Sequence, residues 1–186
     1  RLLATALRAE GHTVTLTREP GGSPGAEEIR RLVLEGDPDR WSPETEILLF
    51  TAARRDHLEK TIRPALDRGE IVITDRFADS TRVYQGAVKP ELLVAENWIH
   101  THLIGLEPAL VVLIDMDAGP ALARGLARRS GEDRFEEKGL DFQIRKRAAY
   151  LALAQASPDR FAVFDGDQNP EVLAAEILDF ALKRLA

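Results

Sequence analysis

Residues 110–114 (LVVLI) contain no polar side chain and run directly into Asp115. A strand with apolar side chains on both faces needs cover on both, as in a parallel sheet wrapped by helices. Three more short runs read as strands: 13–17 (TVTLT), 71–74 and 161–164. The first runs into Arg18-Glu19-Pro20 and the second into Asp75-Arg76. Between them the apolar period changes to that of a helix. Helices are expected at 2–9, stopped by Gly11, and at about 26–34. A long helix starts after Ser42, an N-cap followed by Pro43, and carries Ile47, Leu48, Phe50, Leu58 and Ile62. Short helical pieces follow over 79–95, broken near Gly86 and Pro90, with an amphipathic segment at 98–104. Further helices fit 119–129, 140–155 and 170–185. Strands alternating with helices imply an α/β domain with a parallel sheet. In such sheets ligands sit at the carboxyl ends of the strands, where Arg18, Glu19, Asp75, Arg76 and Asp115 gather.

Composition removes several classes of function. The chain has 186 residues, which suits one domain, and no repeat or linker divides it. A net charge of −6 argues against nucleic acid or an anionic membrane as partner. No apolar run approaches the ~18 residues of a membrane span. Without cysteine there are no disulfides and no thiolate metal sites, which fits a reducing compartment. The histidines (His12, His57, His100, His102) have no zinc-site spacing. Of 25 basic residues only five are lysine. Arginine is the bidentate phosphate ligand, although a GC-rich genome gives the same bias.

Four constellations carry chemistry, each with a plainer reading. Asp75-Arg76, after an apolar strand, fits a Mg²⁺ ligand beside a phosphate clamp, or a helix cap beside an ion-paired arginine. Arg18-Glu19-Pro20-Gly21-Gly22 offers an anion contact, a carboxylate and a backbone that a ligand can approach, or a simple turn. Phe50 and Arg54 lie one helical turn apart, as a stacking plate with a donor for a flat base, or as a core aromatic and a surface charge. Arg124, Arg128, Arg129 and Arg134, threaded by glycines, read as a lid that neutralises a transferring phosphoryl group, or as a solvated charge run.

Taken in order, the stretches TREPGG (17–22), EEIRRLVLEG (27–36), EILLFTAARRDHL (46–58), ITDRFADSTRVYQG (73–86) and DRFE (133–136) resemble bacterial-type thymidylate kinase, within the nucleoside-monophosphate kinases of P-loop fold. The resemblance covers nearly the whole chain. It implies a three-layer domain over 1–186, a parallel sheet with helices on both faces, and a mobile lid at about 128–138. It implies phosphoryl transfer from ATP to dTMP, giving dTDP for dTTP synthesis, with Mg²⁺, in the cytoplasm, by a homodimer pairing through the face of the helix after Ser42. By the same resemblance Phe50 stacks on thymine and Arg54 bonds its O4. Thr81 and Gln85 stand near the base, and Tyr84 packs against the sugar. Arg30 and Arg76 hold the dTMP phosphate, with Arg18 in reach of an anion. Glu19 lies near the sugar and phosphate, through Mg²⁺ or water, and Asp75 organises Mg²⁺ and the acceptor phosphate. Arg124 lies against adenine, and Arg128, Arg129 and Arg134 belong to the lid.

The chain departs from the pattern twice. It contains no G-x-x-x-x-G-K-[ST], so a first strand and phosphate loop of roughly twenty residues are expected ahead of Arg1. After Gly86, Ala87-Val88-Lys89-Pro90 stands where the family has an aromatic residue and Arg-Gly; either a few residues are missing there or Lys89 substitutes as a plain point charge. The alternative functions are a related kinase with another acceptor, and a catalytically silent nucleotide-binding relative or truncated chain lacking the phosphate loop.

Overall fold

The computed structural model describes residues 1–37, 39–86, 89–127 and 134–185. Four short parallel strands carry the architecture: β1 (Val14–Arg18), β2 (Ile71–Asp75), β3 (Val111–Asp115) and β4 (Phe161–Asp165). β1 pairs with β2 in a register that sets Val14 opposite Ile71 and Arg18 opposite Asp75. β3 pairs with β4, with Asp115 opposite Asp165. Each pair therefore ends on charged residues at its carboxyl end, as the sequence implies.

Helices connect the strands. α1 (Leu2–Ala9) precedes β1, and α2 (Pro24–Leu34) and α3 (Pro43–His57) lie between β1 and β2. Ser42 caps α3 by accepting from the Thr45 amide at 3.2 Å, and Pro43 occupies the first turn. At its C-terminus α3 widens into one π-helical segment, Leu58–Ile62, and continues as α4 (Arg63–Asp67). α5 (Ala78–Gly86) and α6 (Leu92–Ile99) follow β2. α6 runs on as a π-helical turn, His100–Ile104, closed by Gly105 in the left-handed region. α7 (Ala118–Ala127), α8 (Leu140–Ala156) and α9 (Pro170–Leu185) complete the chain.

Three apolar clusters hold these layers together. Ala4, Leu7 and Val14 pack with Ile71, Ile73 and Leu178, joining α1 and α9 to the β1–β2 pair. Leu58, Ile62, Phe77, Ala78 and Ile104 form a second cluster. Val83, Tyr84, Phe135 and Phe142 form a third, flanked by Phe50. Burial of the strands differs from the expectation of full cover. No residue of β2 is fully buried, and Leu16 and Ile114 stay 40% and 54% exposed. The reason is topological: among the described residues the sheet exists as two pairs with no ladder between them, so each pair keeps open edges.

Candidate active site

A cleft of about 260 Å³ opens at the carboxyl end of the β1–β2 pair, walled by α2, α3 and α5. It is lined by Arg18, Glu19, Arg30, Phe50, Arg54, Asp75, Arg76, Thr81, Tyr84 and Gln85. Five elements supply these residues, β1, α2, α3, β2 and α5, and the topology brings them together. Phe50 and Phe135 face each other at 6.1 Å, and Tyr84 meets Phe135 edge-on at 5.2 Å. Apolar walls with a few convergent charges are the usual make-up of a small-molecule site.

The cationic side chains are held in different ways. Arg76 has φ of 71°, the one positive φ outside glycine among the described residues. Thr74 fixes this strained turn by donating to the Arg76 carbonyl at 2.9 Å. The Arg76 guanidinium lies 5.2 Å over the Tyr84 ring in the open cleft. Tyr84, then Tyr150 and Asp75, raise its pKa further, so it is cationic at every relevant pH. Arg30 donates to the Pro20 carbonyl at 2.6 Å. Arg18 is exposed and pairs with Glu27 at 3.2 Å. Glu27 also accepts from the Gly22 amide at 3.0 Å. That bond, with help from Arg18, lowers the Glu27 pKa against a desolvation penalty.

Arg54 is buried. It donates through Nε to Glu19 at 2.8 Å and through Nη2 to Thr81 at 3.0 Å. Glu19 is engaged at both oxygens, by Arg54 and by His57 Nδ1 at 3.2 Å. It is therefore poorly placed to ligate a cation. The Asp75 carboxylate has no hydrogen-bond or ion-pair partner among the described residues and lines the cleft, where Arg76 feels its charge. Gln85 donates to Glu46 at 2.7 Å, and its buried Oε1 has no hydrogen-bond partner there.

The structure does not bring every expected residue to the cleft. Arg134 is fully buried and pairs with Glu46 at 2.6 Å. It also donates to the carbonyls of Asp37 at 2.8 Å and Val33 at 3.2 Å. It thus ties the end of α2 to α3, and its neighbours Phe135 and Glu136 line the cleft instead. Arg128 and Arg129 lie outside the described residues, as do Ala87 and Val88. Lys89 forms an exposed ion pair with Glu44 and is absent from the lining. Arg124 lies elsewhere, 3.4 Å from the Gly166 carbonyl and 3.6 Å from Asp167. It borders a second hollow at the ends of β3 and β4 that includes Asp115, Asp117 and Asp165.

Other contributors were not read from sequence. Phe135, within DRFE, forms a wall of the cleft with Phe50. Ser80 bonds Tyr150 at 2.8 Å, and burial pushes the Tyr150 hydroxyl up to about 12. Arg147 clamps Asp115 with bonds of 2.8 and 2.9 Å. The signal for Arg147 is weak, since nothing local in α8 points to β3.

A parallel α/β domain with arginines and an open carboxylate around an aromatic cleft at its strand ends has the make-up of a nucleotide-handling enzyme. Comparison makes the class specific. The thymidylate kinase family model matches residues 1–177. A thymidylate kinase of Dinoroseobacter shibae is 62% identical over 96% of this chain and 86% of its own length. That of Ruegeria pomeroyi is 57% identical over 100% of this chain and 88% of its own. The crystal structure of the Ehrlichia chaffeensis thymidylate kinase superposes with a TM-score of 0.75 at 28% identity, covering 97% of this chain and 87% of that one. The chain belongs to the thymidylate kinase family, and it is a nucleoside-monophosphate kinase.

Proposed function

We propose that the cleft between β1, β2, α3 and α5 is where this family member holds dTMP while ATP phosphorylates it. The observation that carries the reading is convergence. Phe50 and Arg54 on α3, Arg76 after β2, and Thr81 and Tyr84 on α5 line one cleft. In this reading Phe50 lies against thymine and Arg54 faces its edge. Tyr84 packs on the sugar, with Gln85 nearby, and Arg30 and Arg76, with Arg18 behind them, take the phosphate.

The acceptor is already an anion, so transfer needs no strong base. An oxygen of the dTMP phosphate attacks the γ-phosphorus of ATP, and ADP departs. The protein contributes position and charge neutralisation. The fixed turn at Arg76 suits that work, because its guanidinium is set before the substrate arrives. Mg²⁺ keeps several waters and takes one or two carboxylates with substrate phosphates; the unpaired Asp75 fits such a role, where the ion would offset charge between the phosphates. The paired Glu19 fits it poorly, and among the described residues no cluster of three ligands exists. Arg124, exposed near the ends of β3 and β4, is the residue for the adenine of ATP in this reading.

The finer architecture belongs to the same reading. The two parallel pairs, flanked by helices, support one parallel sheet with helices on both faces. Leu48, Val94, Trp98 and Leu103 are exposed on or near α3 and α6, which supports a homodimer through that face. No helix of the described residues is long and apolar enough to cross a membrane.

Calorimetric titration of dTMP and ATP tests the placement. Arg76→Ala is expected to weaken dTMP at least about tenfold, and Arg124→Ala to weaken ATP alone. Equal weakening of both ligands by each variant would refute it.

A further inference from the structure

We infer that His57 is a positioning residue for the dTMP site, acting through Glu19 on Arg54. The inference rests on the placement of dTMP against Arg54 proposed above.

His57 is the last residue of α3 and has no exposed surface. It does not line the cleft, so it has no direct contact to offer a ligand there. Both ring nitrogens are nevertheless committed. Nδ1 lies 3.2 Å from Glu19 Oε1, and Nε2 lies 2.7 Å from Thr17 Oγ1. A carboxylate only accepts, so the proton belongs on Nδ1. In the neutral ring Nε2 then accepts from the Thr17 hydroxyl. The two partners together select one tautomer and one ring orientation.

The bond to Glu19 is one link of a relay. The other oxygen of Glu19 accepts from Arg54 Nε at 2.8 Å, and Arg54 Nη2 donates to Thr81 at 3.0 Å. Thr17–His57–Glu19–Arg54–Thr81 thus joins β1, the loop after it, α3 and α5 beneath the cleft. Only Arg54 Nη1 is left without a partner among the described residues. Which way it points depends on where Glu19 holds Nε, and His57 is the second anchor of Glu19.

The loop after β1 is built closely around this pair. Gly22 has φ of +84°, and a Cβ there would come within 2.4 Å of both His57 Nε2 and Thr17 Oγ1. Thr61 holds the loop down by donating to the Gly22 carbonyl at 2.7 Å. Any side chain at position 22 would displace the ring or the hydroxyl it bonds, so glycine is required there for the pair to form.

Two amide variants separate the nitrogens. In His57→Asn the side-chain NH₂ takes the place of Nδ1–H and keeps the donor to Glu19. In His57→Gln the amide reaches toward Thr17, and Glu19 loses its second donor. Both are polar and similar in bulk. Steady-state kinetics should show dTMP KM raised about tenfold in His57→Gln, with ATP KM unchanged, and close to the native value in His57→Asn. Similar dTMP KM values in the two variants, raised or not, would overturn the positioning role. So would equal rises in dTMP and ATP KM, the mark of general damage. Arg54→Ala is measured alongside. If it raises dTMP KM while His57→Gln does not, only the role of His57 fails. If it leaves dTMP KM unchanged, the placement of dTMP fails and the inference falls with it.

Discussion

Arg134 and Glu46 face each other at 2.6 Å with 0% and 3% of their side chains exposed. Removing one partner of such a pair strands the other charge, at a cost of about 3–5 kcal/mol. Arg134→Ala is therefore expected to lower Tm by roughly 6–20 °C in a domain of this size. Thermal denaturation checks it. A variant with native Tm and greatly reduced kcat would instead return Arg134 to the lid.

Phe50 shares its wall of the cleft with Phe135. Stacking of a base on an aromatic ring contributes about 1–3 kcal/mol. Phe50→Ala should raise dTMP KM by roughly 5- to 150-fold while ATP KM stays within about twofold of native. Initial rates with each substrate varied in turn separate the two constants.

The backbone of Arg76 makes a prediction of its own. At φ of 71° glycine is unstrained and alanine is not. Arg76→Gly and Arg76→Ala should both lose at least about 100-fold in kcat/KM. The glycine variant should nonetheless melt higher, by about 1 kcal/mol of stability. Turnover and melting of the pair settle both halves.

Glu107 supplies a pH prediction. Burial works against its charge, but the nearby His100 ring and the hydrogen bonds from Arg82 outweigh that penalty and hold its pKa at about 2. His100 Nε2 lies 3.0 Å away and Arg82 Nη2 2.6 Å. A depressed carboxylate stabilises the fold above its unfolded pKa of about 4.3. That stability is lost as pH falls toward 2. Nearly half of the side chain is exposed, so solvent and salt reduce the effect. The Tm gap between native protein and Glu107→Gln should be open at pH 7 and close between about pH 4 and 2. A gap independent of pH would contradict the assignment.

The strands were legible because each is a short apolar or β-branched run ending in charge, and the register sets Arg18 beside Asp75. Phe50 and Arg54 were legible as an i, i+4 pair on one face. Arg134 was not: glycines and charges around it suggest a mobile loop, and only the fold brings Glu46 to it. His57 was missed for the same reason, since Thr17 and Glu19 reach it from β1 and its loop. The half-exposure of the strands was also missed, because an apolar run reports what a strand needs covered and not what lies beside it. Glu19 read as a metal ligand because its sequence neighbours do not reveal that Arg54 and His57 occupy both of its oxygens.

Turnover of the full-length protein with ATP and Mg²⁺, following ADP formation with dTMP, dUMP, dCMP and AMP as parallel acceptors, tests the central claim most directly. A pocket that senses one methyl group discriminates by about 10–200-fold. The account predicts kcat/KM for dTMP above that for dUMP by such a factor, with dCMP and AMP lower still. Equal or better turnover of AMP or dCMP would contradict it.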